Sequence, residues 1–163
     1  MATTTVKDNP PKLKNYSNFN VSAHARNYGI ILGVATAIYL IIINLIYGEV
    51  PLGLRFAKHL LIIPIVWYAA ADYAKRLPEG QVFKAELGYL MRLAGYAALA
   101  LIAVNILVFM VTSSSFEQFM EDGNSFAGMM INSGFIFFET VVFVMIVSFI
   151  VLQGFKGKGS PED

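Results

Sequence analysis

Cysteine is absent from this sequence. That excludes disulfides, thiolate metal sites and thiol nucleophiles, and it leaves the redox compartment open. Histidine is nearly absent, with His24 and His59 the two present. Charge is scarce too. Only 14% of the 163 residues are Asp, Glu, Lys or Arg, against roughly 25% in a soluble domain. A chain this poor in charge exposes much of its surface to something other than water. The formal net charge is +1, which gives no electrostatic reason to expect nucleic acid as a partner. No phosphate-binding Gly-x-x-x-x-Gly-Lys-Ser/Thr loop, nucleophile elbow or His-Glu-x-x-His motif occurs.

What fills the sequence is apolar runs. A helix needs about 20 mostly apolar residues to cross a hydrocarbon core ~30 Å thick. Four stretches qualify: 28–47, 54–74, 88–111 and 127–152. They read as helices, because lipid offers no partner to an open sheet edge and barrel strands would alternate in polarity. The fold class expected is all-α: an integral membrane four-helix bundle spanning residues 26–153, with both termini cytoplasmic. Residues 1–25 and 154–163 read as mobile tails, too polar to bury a core. The first run is too long for a signal peptide, and no small-residue cleavage site follows it. It reads as an anchor that stays, with Tyr47-Gly48-Glu49-Val50-Pro51 turning tightly into the second span.

Basic residues set the expected orientation. One side carries Lys7, Lys12, Lys14, Arg26, Lys75, Arg76, Lys84, Arg92, Lys156 and Lys158. The other carries only Arg55 and Lys58. The split of 10 against 2 places the termini inside. In the loop before the third span, Phe83, Leu87 and Leu90 fall at helical spacing and begin a helix that continues into it. In the acidic loop 112–126, Ser114 and Glu117 match a capping box for a short surface helix that Gly123 ends.

Glu139 is the foremost candidate for chemistry, since it lies near the middle of the fourth span. An acid at that depth costs roughly 2.5–3.5 kcal/mol on insertion scales, so it is paired, protonated or facing water. Two readings are open: a proton or cation site, or a neutral acid hydrogen-bonded to a neighbouring helix. A polar cluster of Glu139, Asn105 and Asn44 would open toward the outside. Lys58 and His59 fall within two turns of the outer surface, where a lysine ordinarily snorkels to the head groups. Pro64, halfway along the second span, predicts a kink, because it deprives the Leu60 carbonyl of its helical donor. Gly29, Gly33 and Ala37 continue a four-residue spacing that starts at Ala25. Such a small-residue face allows close approach of another helix, within the monomer or from another subunit. His24 and His59 are expected at opposite membrane surfaces, so they cannot ligate one haem iron. No catalytic residue, metal site or cofactor is expected.

Several short motifs share their order with a known group. Tyr28-Gly29-Ile30-Ile31-Leu32-Gly33 opens the first span, and Gly80-Gln81-Val82-Phe83-Lys84 precedes Gly88. Phe116-Glu117-Gln118-Phe119-Met120 occupies the acidic loop, and the last span ends in lysines. From about Arg26 to Lys158 the chain resembles a bacterial four-span membrane family whose function is not established, domain-of-unknown-function family 4199. The fourth span departs from that pattern, being rich in phenylalanine and carrying Glu139 where Gly and aliphatic residues are usual. The resemblance implies the bacterial inner membrane and brings no catalytic residues with it. The expected function is a non-enzymatic accessory or scaffold subunit that contacts lipids and other membrane subunits, or copies of itself. The alternative is a small oligomeric transporter or channel using Glu139.

Overall fold

The computed structural model describes residues 20–48, 51–75, 82–115 and 125–155. All regular structure among them is helical: α1 (Val21–Tyr47), α2 (Leu52–Ala57), a 3-10 segment (Lys58–Leu61), α3 (Ile62–Ala74), α4 (Val82–Thr112) and α5 (Phe126–Phe155). Four helical stretches are long and apolar enough to cross a membrane: Val21–Tyr47, Gly53–Ala74, Ala85–Thr112 and Phe126–Gly154. The expected helix bundle is therefore present, built as a multi-pass membrane protein is built. The proposed surface helix of the acidic loop lies outside the described residues, as do most of both tails.

The helices run past the apolar cores of their spans. The first begins at Val21 rather than 28, so residues 21–25 belong to it and not to a tail. The Asn20 side chain accepts a hydrogen bond from the Ala23 amide, satisfying one of the free N–H groups at the helix start. Ser125 does the same for α5 by accepting from the Gly128 amide. Gly48 ends α1 with a φ of 75°, and its amide donates to the Asn44 carbonyl. The third span begins inside a longer helix, as the spacing of Phe83, Leu87 and Leu90 implies.

α1 packs against α4 along most of its length, α4 packs against α5, and α5 packs against α3, which also touches α1 and α4. The α1–α4 seam is the closest, and glycine explains it. A Cβ on Gly29 would lie 2.6 Å from the Tyr96 Cβ and 2.7 Å from the Leu93 carbonyl oxygen. A Cβ on Gly33 would lie 2.5 Å from the Ala97 carbonyl oxygen. Ala37 continues this face and is fully buried. The small-residue face is thus used inside the chain, and it does not wait for another subunit.

Among the described residues the interior holds two apolar clusters. A larger one includes Leu32, Val66, Leu90, Leu93 and Val144. A smaller one joins Ala37, Leu40, Leu101 and Ile136. Large apolar side chains are also exposed along every span, among them Leu45, Tyr68, Leu107, Val111, Phe138 and Ile150. In water such a surface would aggregate, whereas lipid chains cover it at no cost.

The expected kink in the second span takes a definite form. The helix tightens to 3-10 geometry over Lys58–Leu61, one turn before Pro64. Pro64 lies in the first turn of α3, where a missing amide hydrogen is tolerated.

Candidate functional site

The second span enters the bundle deeply. The Tyr39 hydroxyl donates a 2.9 Å hydrogen bond to the Leu54 carbonyl. Tyr39 lies two turns before the end of α1, so the first residues of the second span are already well below that end. Lys58 comes one further turn in. This offset brings Lys58 to the level of Glu139, which sequence position alone places far deeper.

There the two residues form an ion pair. Lys58 Nζ donates to Glu139 Oε2 at 2.8 Å. Only 4% of the Lys58 side chain and 16% of the Glu139 side chain are exposed. Lys58 therefore does not snorkel to the surface, and Glu139 faces a buried amine on a neighbouring helix. Each removes the charge penalty of the other, in a setting where either alone is costly. His59 completes the group. Its Nδ1 donates to the Phe56 carbonyl at 2.9 Å, and its Nε2 faces Glu139 Oε1 at 3.3 Å. The ring stacks on Phe143 with centroids 3.5 Å apart, which fixes its plane.

The cluster of Glu139, Asn105 and Asn44 does not assemble. Asn105 is fully buried and donates from Nδ2 to the Ser133 hydroxyl at 3.2 Å. That bond ties α4 to α5 by a separate polar contact. Asn44 lines a cavity of about 290 Å³ with Ile41, Leu45, Val108, Thr112 and Ser114, between α1 and the end of α4. None of the residues lining it carries a charge at neutral pH. Pro64 contributes backbone geometry, and neither Gly29, Gly33 nor Ala37 contributes a polar atom.

A second polar cluster lies at the other end of the bundle, and the sequence reading missed it. His24 is drawn inward from α1. Its Nε2 lies 2.7 Å from Asp72 Oδ2 on α3, and its Nδ1 lies 2.8 Å from the Tyr89 hydroxyl on α4. With Nε2–H donating to Asp72, the neutral ring accepts at Nδ1 from the tyrosine hydroxyl. Tyr73 stacks on Tyr89 with centroids 4.4 Å apart. One turn before Tyr89, Glu86 is completely buried, and neither carboxyl oxygen has a hydrogen-bond partner among the described residues. A usable signal was present: His24 and Tyr28, and Glu86 and Tyr89, each pair polar groups on one helix face.

The two histidines belong to these two separate clusters. Among the described residues no group of three or more His, Asp or Glu could hold a metal ion. Comparisons with protein-family models, with curated proteins and with solved structures find no match to this chain.

Proposed function

We propose that the chain is a non-enzymatic accessory or scaffold subunit of a bacterial inner membrane, a member of the four-span family it resembles. Its partners are lipids and other membrane subunits or copies of itself. The observation that carries this reading is the Lys58–Glu139 pair. The one acid in the middle of the spans already holds a buried counter-charge at 2.8 Å. A cation entering there would have to displace Lys58, leaving a buried ammonium without a partner. The pair is better suited to locking the second span to the fourth than to passing ions. Both termini lie in the cytoplasm on this reading. Burial of Lys58 strengthens the charge argument, because only Arg55 then remains near the opposite face.

The transport alternative is tested by proton and cation flux in proteoliposomes loaded with a pH-sensitive or cation-sensitive dye. The subunit reading expects flux no higher than in empty vesicles for the parent chain and for Glu139→Gln alike. A flux present in the parent and lost in Glu139→Gln that keeps the parent's circular-dichroism spectrum would establish transport through this residue instead.

A further inference from the structure

Glu86 has no role in the lock between the second and fourth spans. Its carboxyl is nevertheless fully buried, with both oxygens unpartnered among the described residues. An ionised carboxylate so placed loses its hydration and gains nothing in return. Either a cation or a proton must neutralise it. The described residues provide no third ligand for a metal ion, and a proton needs none.

The groups around it can be named helix by helix. α3 supplies Asp72 and Tyr73, with Tyr73 in electrostatic range of both Glu86 and Arg92. α1 supplies His24, joined to Asp72 and Tyr89, and Tyr28 beside His24. α4 itself supplies Tyr89 and Arg92, and the Arg92 side chain is exposed. α5 supplies no ionisable side chain from Thr140 to Phe155. The nearby full negative charge is that of Asp72, already engaged by His24. Ionising Glu86 would add a second anion to this end of the bundle without adding a cation.

We propose that Glu86 is a proton-binding site: its carboxyl carries a proton at neutral pH, and losing it charges the buried wall beside the His24–Asp72–Tyr89 cluster and loosens the packing of α1, α3 and α4. The ligand is the proton itself, and the device responds to alkalinity on whichever side this end of the bundle faces. The inference does not depend on the subunit reading, which concerns Glu139.

Infrared spectroscopy of the full chain in lipid vesicles tests it, with carbon-13 glutamate to identify the carboxyl band. At about pH 6.5 surface carboxyls have lost their protons. The parent should still show a protonated-glutamate band, Lys58→Met/Glu139→Leu should retain it, and Glu86→Gln should lose it. The label and the Lys58→Met/Glu139→Leu variant, which removes both charges of that pair together, give this answer even where Glu86→Gln fails to fold. The thermal midpoint of the parent should fall as pH rises into the alkaline range, by more than in Glu86→Gln. Absence of the band in the parent, or its loss in Lys58→Met/Glu139→Leu, would overturn the proposal. So would a band that persists in Glu86→Gln.

Discussion

His24 shows how a polar residue inside a helix start can be misread. Its neighbours Ser22, Arg26 and Asn27 are exposed, and that composition suggests a surface segment. The ring is nonetheless half-buried, because Asp72 and Tyr89 reach it from two other helices. No local pattern encodes those distances, since the three residues are far apart in sequence. The arrangement predicts a graded response at residue 72. Asp72→Asn keeps an acceptor for His24 Nε2–H and replaces a charge-assisted bond by a neutral one, costing about 1 kcal/mol. Asp72→Ala leaves the ring N–H without that acceptor and should cost about 1–3 kcal/mol. Unfolding in mixed micelles measures both, and an alanine variant as stable as the asparagine one would refute the bond's importance.

At the scale of elements, the spans were legible because lipid imposes a length and a composition that few other structures share. Their ends were not. Helices extend past the apolar core wherever a cap or a packed neighbour satisfies the added turns, as Asn20 does for α1. The depth of Lys58 was hidden for a related reason. It depends on how low the second span starts, and that is set by the Tyr39–Leu54 bond between helices. The small-residue face was legible as a packing surface, but the spacing could not say whether α4 or another subunit met it. The contact geometry makes the seam testable. Gly33→Ala places a methyl 2.5 Å from the Ala97 carbonyl oxygen, and such overpacking costs about 1–3 kcal/mol. Gly134→Ala meets open space and should leave the thermal midpoint unchanged or raised, since alanine favours helix over glycine. Equal midpoints for the two variants in detergent would show that α1 and α4 are not in close contact.

Among the described residues the molecule is a bundle with large apolar side chains outside and polar clusters at separate levels inside. Its lack of cysteine makes the orientation easy to measure. Ser160→Cys and Ser114→Cys each introduce a single thiol into a cysteine-free chain. With both termini in the cytoplasm, a membrane-impermeant maleimide applied outside intact spheroplasts should label position 114 and spare position 160. Labelling of position 160 would reverse the topology.

Lys58 and Glu139 form one closed structural unit, and a double-mutant cycle on reversible unfolding measures their coupling. Glu139→Leu alone leaves a buried ammonium, and Lys58→Met alone leaves a buried carboxylate beside His59. Breaking a buried pair in this way costs about 3–5 kcal/mol. Glu139→Gln belongs with these singles, because the amide cannot neutralise Lys58. Removing both charges in Lys58→Met/Glu139→Leu should return stability to within about 1 kcal/mol of the parent, because apolar side chains can replace a buried pair at little cost. The double variant should be far more stable than the sum of the two single losses allows. Strictly additive losses, with the double variant the least stable of the three, would contradict it.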